Sequence, residues 1–425
     1  MARRIVTVTA ILDLAALAVA QVVASLATFR TPLPWLHRGD VWPMVGALFG
    51  GALVGLYVTS RSAGNGVPRP SYGRALSAVA LSLGITALVI LFGRPYWSRN
   101  YVLVAAVTWL ALSLAVCWGQ RRRPWTENMV LVATEKVLVD HLRAAPHVNV
   151  LEVLDPAGAI PERPLPPGTT LAVDLRSVLS DDMARFVSSC NLAGYLTRSL
   201  VTVYEEHTGR LAIVHLYEGW ELSVPLSGRA PYVRVKRVID ALLVLLAAPL
   251  VLPLCLILAL AIKLDSRGPV VFRQSRIGLE GRPFTLYKFR SMRVGNGGDG
   301  EARFAGVKDD RLTRVGRLLR RTRFDELPQL WNILTGDLSL VGPRPEQGPF
   351  VERFSETIPF YTHRHLVRPG LTGWAQVNYG YADSEADTIE KLSFDLYYVK
   401  HLSPWMDLEV LGRSVWTVLS GFGAR

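Results

Sequence analysis

The sequence has only three cysteines in 425 residues, and their placement excludes two large classes of protein. Cys117 and Cys255 lie inside apolar runs and Cys190 stands alone. There is neither a disulfide framework nor a Cys/His spacing that could hold zinc. A reduced, cytoplasmic water-facing part fits this pattern. Acidic residues are also in the minority, 35 Asp and Glu against 47 Lys and Arg, leaving a formal net charge of +12. The surplus implies an anionic partner, such as phospholipid headgroups or nucleotide phosphates. No nucleic-acid-binding signature accompanies it, so nucleic acid is not expected among the partners. Charge itself is sparse. With 19 % charged and 50 % hydrophobic residues and a mean hydropathy of +0.25, the chain is too apolar for one soluble domain and too charged for a pure transmembrane bundle.

Four runs reach the roughly 20 residues needed to cross a hydrocarbon core. They are Ile5 to Phe29, Val41 to Thr59, Ala75 to Phe92 and Tyr101 to Trp118. Arg3 and Arg4 precede the first, Arg61, Arg69 and Arg74 separate the second from the third, and Arg121, Arg122 and Arg123 follow the fourth. The opposite loops carry Arg30, Arg38, Arg94 and Arg99. The positive-inside rule therefore puts the N-terminus and everything after Arg123 in the cytoplasm. A cleaved signal peptide is the alternative for the first run, but a small-residue cleavage site is lacking and three further spans follow. Residues 1-123 are expected to form a four-helix transmembrane region.

From Met129 the texture changes to short apolar runs separated by polar, helically patterned segments, so residues 124-230 read as a small α/β cytoplasmic domain. A nucleotide-binding βαβ unit would need glycine after its first strand. That turn is Ala133-Thr134-Glu135-Lys136 here, which favours a structural or assembly role. Leu226 to Pro231 reads as a linker. The remainder, 231-425, begins with another membrane-length stretch, Ala241 to Ile262, which contains Pro249 and Pro253. Each proline removes a backbone donor and bends a helix. Lys236 and Arg237 precede the stretch and Lys263 and Arg267 follow it, so a straight span would leave one basic cluster outside. A re-entrant helix over about 241-262, returning to its own side, avoids that. An ordinary kinked fifth span is the alternative.

Between Arg311 and Arg321, at about 100° per residue, Leu312, Val315, Leu318 and Leu319 share one arc, and Arg314, Arg317, Arg320 and Arg321 the other. Such a basic amphipathic helix suits a headgroup layer. Asp325 and Glu326 follow it directly, with Arg320, Arg321 and Arg323 close by. Adjacent carboxylates often mark no more than a solvated helix start, but this electropositive setting would keep them ionised and attract a phosphorylated substrate. A carboxylate can attack phosphorus, and its neighbour can hold Mg2+. Arg320 of this run, Lys288 and Arg290 in Tyr287-Lys288-Phe289-Arg290-Ser291-Met292, Arg344 between Pro343 and Pro345, and Arg368 before Pro369-Gly370 are candidates for phosphate binding.

Read together, these residues resemble a family. The ordered blocks are Lys236-Arg237-Val238-Ile239-Asp240, Gln274-Ser275-Arg276-Ile277-Gly278, Lys288 to Met292, Asp325-Glu326-Leu327-Pro328-Gln329, Gly336 to Pro345, and Arg368 to Asn378. From Lys236 onward the chain is similar to the bacterial polyprenyl-phosphate sugar-1-phosphate transferases of the monotopic phosphoglycosyl transferase superfamily. The preceding spans and α/β domain look like the long form, whose members initiate O-antigen, capsule and exopolysaccharide assembly. The resemblance implies an α-helical membrane bundle, a small α/β domain and a mainly α catalytic domain with a re-entrant helix, in the bacterial inner membrane with catalysis on the cytoplasmic face. It implies transfer of a sugar-1-phosphate from a nucleoside diphosphate sugar, with uridine as the expected base, to polyprenyl (undecaprenyl) phosphate. Asp325 would be the nucleophile, Glu326 the residue supporting Mg2+, and Pro253 the helix break. Leu252 and the additional Pro249 depart from the pattern and shift the expected bend. A membrane bundle with an appended assembly domain makes a homodimer a reasonable expectation. A non-catalytic export scaffold would not explain why the dyad, Lys288 and Arg344 occur together. Asp299-Gly300-Glu301-Ala302-Arg303 hints at a CDP-alcohol phosphatidyltransferase but lacks that motif's spacing and its downstream aspartates.

Overall fold

Four helices make up the first part of the chain: α1 (Ala2–Phe29), α2 (Trp42–Ser62), α3 (Tyr72–Gly93) and α4 (Arg99–Arg122). The computed structural model describes residues 2–32, 42–62, 72–93, 98–122, 126–216, 230–293, 312–379 and 385–420, and the chain divides into units Met1–Glu127 and Asn128–Arg425. In the first unit α1 packs on α4 and α2 on α3 around a core in which Ala16, Ala20, Ala52 and Ala78 surround the large ring of Trp109. Gly51 and Gly55 permit the close α2–α3 approach, since a Cβ at either would lie 2.8 Å from the backbone of Ser82 or Ala78. Trp109 Nε1 donates to the Asp13 carbonyl at 3.0 Å and Ser82 Oγ to that of Leu48 at 2.9 Å. Thr9–Phe29 and Arg99–Gln120 are long and apolar enough to cross a membrane, whereas the apolar stretches Trp42–Tyr57 and Ala78–Leu91 are shorter. Of the expected loop arginines, Arg38, Arg69, Arg94 and Arg123 lie outside the described residues.

The second unit opens with β1 (Glu127–Val132), α5 (Lys136–Ala144), β2 (Val148–Leu154), β3 (Thr170–Val173), α6 (Asp181–Leu192), β4 (Leu196–Ser199) and α7 (Leu200–Thr208). The sheet order is β2-β1-β3-β4, with β1–β3 and β3–β4 parallel. Alternate residues of β1 enter different clusters: Val130 and Val132 with Leu171 and Met183, Met129 and Leu131 with Leu138 and Val203. In open α/β sheets a ligand crevice forms where strand order reverses, here between β1 and β3. At the carboxyl end of β3, buried His215 of the 3-10 turn Ile213–His215 lies 3.7 Å from buried Asp174. The 3-10 turn thus covers Asp174 just beyond β3. The proposed linker Leu226 to Pro231 falls largely outside the described residues.

The remaining elements are α8 (Ala230–Asp265), β5 (Val271–Ile277), β6 (Pro283–Phe289), α9 (Arg314–Thr322), α10 (Gln329–Thr335), β7 (Ser339–Val341), α11 (Gly348–Thr357), β8 (Gly370–Thr372), α12 (Trp374–Asn378), α13 (Glu385–Lys400) and α14 (Pro404–Ser420). Here β5 and β6 form an antiparallel hairpin, and β7 pairs in parallel with β8. The α/β part docks on α13. Arg210 pairs with Glu390 at 2.5 Å, Lys400 with Glu205 at 2.7 Å, and Trp374 Nε1 donates to the Gly209 carbonyl at 2.8 Å.

Helix α8 runs through Pro249 and Pro253, yet only 6 % of its most apolar stretch is buried. Leu250 is 81 % exposed and Leu264 79 %, a surface that water would oppose and hydrocarbon would accept. Both ends are fastened to the second unit. Near the start, Lys236 Nζ and Tyr232 Oη donate to Asp407 Oδ2 at 2.6 and 2.5 Å, Ser339 Oγ donates to Asp240 at 2.6 Å, and Arg237 donates to the carbonyls of Ile333 and Leu334. At the finish, Asp265 Oδ2 accepts from the Val315 N–H at 3.0 Å, and Arg290 donates to the carbonyls of Ser266 and Arg267 at 2.7 and 3.0 Å. Val244 joins a cluster with Leu286 and Ile333, and Ile262 one with Phe289 and Leu319.

Candidate active site

Asp325 and Glu326 occupy a 3-10 turn, Phe324–Glu326, between α9 and α10. The sequence sets up this turn from both sides. Thr313 caps α9 by accepting the Gly316 N–H at 2.9 Å. Gly316 is required there, because a Cβ would lie 1.9 Å from the Ser291 carbonyl oxygen. Leu319 points inward to Phe289 and Ile262, while Arg314, Arg317, Leu318 and Arg321 are exposed, so the helix is amphipathic with a basic outer face. Helix α9 starts later than its hydrophobic pattern suggested: Leu312 sits in a β-bridge with Met292, and Arg311 lies outside the described residues. Arg323 then takes a left-handed conformation, φ 57°, which ends α9 and reverses the chain into the dyad.

On the other side, α10 is pinned to β6. Asn332 Nδ2 donates to the Thr285 carbonyl at 2.7 Å, and its Oδ1 accepts the Tyr287 N–H at 3.1 Å. Lys288, next along β6, brings Nζ within 3.5 Å of Glu326 Oε1. Arg344 Nη2 reaches the same oxygen at 2.9 Å. The turn carrying Arg344 is held by backbone bonds from Gly342 N–H to the Thr372 carbonyl and from Gly370 N–H to the Pro343 carbonyl, each 2.9 Å. The Arg344 carbonyl itself accepts from Arg364 Nη2 at 2.9 Å.

The two carboxylates are thereby made unlike. Burial alone would raise the Glu326 pKa, but the Arg344 guanidinium and the Lys288 ammonium outweigh it and hold the group at about 2. Asp325 moves the other way: burial and the adjacent Glu326 charge raise it, against the pull of Lys288, Arg320 and Arg344. Its carboxylate makes no hydrogen bond or salt bridge among the described residues. The result is one ionised, anchored carboxylate beside an unengaged and more basic one. Burial also lowers the pKa of Lys288, aided by Arg344 and opposed by Glu326 and Asp325.

Asp325, Glu326, Lys288 and Arg344 thus form one cluster. Arg320 acts on Asp325 through its charge while its Nε donates to Ser291 Oγ at 3.0 Å. Arg290 is committed to the end of α8, and Arg368 Nε donates to the Gly336 carbonyl at 3.1 Å. Sequence reasoning gave no role to Arg276 or Glu346. Arg276 Nη1 donates to the Pro345 carbonyl at 3.2 Å and lies 3.9 Å from Glu346, which is also paired with Lys391 and, at 3.8 Å, with Arg364. Burial would raise the Glu346 pKa, but Lys391 and Arg364 hold it at about 2. Glu346 directly follows Pro345 and Arg276 lies within Gln274 to Gly278, so position was the available signal. The Asp299 to Arg303 segment lies outside the described residues.

No group of three or more His, Cys, Asp or Glu side chains able to hold a metal occurs among the described residues. Mg2+ needs fewer protein ligands, being commonly held by one or two carboxylates and completed by substrate phosphates and water, and the Asp325–Glu326 pair matches that donor set. Among the described residues, both cationic contacts to Glu326 end on Oε1, which leaves Oε2 for such an ion.

An exposed apolar helix latched at both ends to a unit with a cation-paired carboxylate dyad defines a membrane-associated protein with a polar catalytic-type centre. The chain belongs to the family described as Bacterial sugar transferase, whose profile matches residues 231–421. It is 46 % identical over 262 residues, 60 % of each chain, to the UDP-N-acetylgalactosamine-undecaprenyl-phosphate N-acetylgalactosaminephosphotransferase of Aeromonas hydrophila. It is 43 % identical over 222 residues to the UDP-glucose:undecaprenyl-phosphate glucose-1-phosphate transferase of Escherichia coli (strain K12), covering 51 % of this chain and 45 % of the relative. A protein of the same description from Caulobacter vibrioides is 44 % identical over 204 residues, covering 47 % of this chain and 76 % of the relative. The chain spans about half the length of the first two.

Proposed function

We propose that this protein transfers a sugar-1-phosphate from a UDP-hexose to undecaprenyl phosphate at the cytoplasmic face of the bacterial inner membrane, as the first membrane step of polysaccharide synthesis. The observation that carries this reading is the division of labour in the dyad: Glu326 is tied to Arg344 and Lys288 while Asp325 is left unengaged and more basic. An Asp325 oxygen attacks the sugar-bearing phosphorus, the bond from that phosphorus to the bridging oxygen breaks, and uridine monophosphate leaves with the electron pair. A phosphate oxygen of the lipid then attacks the same phosphorus, releasing the Asp325 carboxylate and the lipid diphosphate sugar. Lys288 and Arg344 hold Glu326 ionised and place positive charge beside the phosphates. Mg2+ held by Glu326 would neutralise charge on the phosphate oxygens. Assaying purified protein with undecaprenyl phosphate and labelled UDP-glucose or UDP-N-acetylgalactosamine is expected to give a lipid-extractable product and UMP. If no UDP-sugar in a wider panel gives lipid-linked product, the reading fails.

Arg344 offers a direct check on the cluster. Arg344→Lys is expected to lower kcat/KM by about tenfold or more, because a point charge cannot reproduce the guanidinium geometry at Glu326. Parent-like activity would reduce Arg344 to a surface charge.

The reading also requires α8 to enter and leave the bilayer on one face. A straight helix from Val244 to Ile262, eighteen rises of about 1.5 Å, would span about 27 Å. Their cluster partners on β6, Leu286 and Phe289, lie about 10 Å apart along the strand. That mismatch supports a bent helix, and Pro249 and Pro253 supply the place for it. Val235→Cys and Arg267→Cys are expected to be labelled from the same, cytoplasmic side; labelling from opposite sides would make α8 a span. Pro253→Ala should shift α8 toward spanning, with Pro249 retaining part of the bend.

A further inference from the structure

One turn after the dyad, Gln329 is 3 % exposed, and its Nε2 is buried without a hydrogen-bond partner among the described residues. A buried amide donor left unpaired is costly, and an apolar side chain of similar shape would avoid that cost. The neighbours of Gln329 on the same face both have partners. From Phe324 to Thr335 the backbone is helical, first 3-10 and then α, so Glu326, Gln329 and Asn332, spaced three apart, stack along one side. Glu326 meets Lys288 at one end of this row, and Asn332 bonds Thr285 and Tyr287 at the other, all of them on β6. The Gln329 position therefore lies between two anchored neighbours, on the side of the turn and helix that meets β6.

We propose that Gln329 is a further catalytic residue, whose carboxamide donates a hydrogen bond to a non-bridging oxygen of the phosphoryl group transferred to Asp325. This rests on the transferase reading above. Lys288 and Arg344 already supply positive charge, and a neutral amide adds direction without adding more. Its bond to the phosphoryl oxygen strengthens as attack moves negative charge onto that oxygen, which is how a fixed donor accelerates group transfer. A donor that finds no acceptor within its own protein is suited to one that arrives with the substrate.

Gln329→Met keeps the length and removes the amide, so a structural residue and a substrate-facing one should respond in opposite directions. We expect the melting temperature to rise by about 2–4 °C, as the unpaired donor disappears. We expect kcat for UMP release from UDP-glucose or UDP-N-acetylgalactosamine to fall on the order of 100-fold. KM for the same donor should stay within about threefold, because the bond matters in the transition state. Gln329→Glu, which keeps the shape but loses the N–H donors, should reproduce the loss of kcat if the methionine variant does not accumulate. An active parent whose variants keep full kcat, or whose Gln329→Met form melts lower, overturns the proposal alone; unchanged kcat is also what a water partner for Nε2 predicts. A parent that releases no UMP from either donor overturns the transferase reading and this proposal with it.

Discussion

Asp325→Asn is expected to abolish both halves of the reaction, with turnover falling on the order of 10^4-fold or more, the scale seen when a nucleophile that acts as part of a unit is removed. The reason lies in what Asp325 lacks. Glu326 is anchored by two cations, whereas Asp325 is unengaged and raised in pKa by burial and by its neighbour, which is what the proposed attack on phosphorus requires. Incubating the parent with Mg2+ and labelled UDP-sugar, without lipid, should label the protein and release at most one equivalent of UMP, and Asp325→Asn should do neither. Glu326→Gln should still form the adduct, slowly. Kinetics requiring both substrates together, with no adduct at any time, would reject the covalent route and leave the transferase assignment standing.

A loss of stability of comparable importance is expected behind the site. Arg364 and Asp395 have side chains 3 % and 2 % exposed and are joined at 2.8 Å, and Arg364 also donates to Tyr361 Oη at 3.0 Å and to the Arg344 carbonyl. Arg364→Met takes from buried Asp395 its 2.8 Å partner and leaves it only the charge of Lys391, which should cost about 3–5 kcal/mol in denaturant unfolding. Adding Asp395→Leu should recover much of that, since two apolar groups leave no orphan charge. Activity should not recover in step, because the backbone clamp on Arg344 stays broken. A single-variant loss below about 1 kcal/mol would mean that water reaches the pair, which would then behave as a surface contact.

Much of this was legible in the chain because the signals were local. Runs such as Tyr101 to Trp118 could only be apolar helices, and the proline-flanked Arg344 and the strand residue Lys288 could be named beside the dyad from their surroundings. Where each guanidinium ends was not legible. Arg290 and Arg368 resemble Arg344 in sequence, but each finds backbone carbonyls that lie near it only after folding, at the end of α8 and at Gly336. Glu346 escaped notice because its partners Arg276, Arg364 and Lys391 come from three separate elements. The late start of α9 had a local signal in Thr313, a good capping residue, which the wheel of leucines obscured.

The latch at the start of α8 also sets a timetable. Lys236 and its partner Asp407 are separated by 171 residues, so at about 5–20 residues per second the ribosome needs on the order of ten to thirty seconds to supply the second after the first. During that interval α8 is already made, with an apolar surface that only hydrocarbon accepts. The acid within reach of Lys236 in the nascent helix is Asp240, one turn away and 3.7 Å from it in the finished protein. In the finished protein Asp240 also accepts from Ser339, so the carboxylate one turn from Lys236 ties α8 to β7 as well.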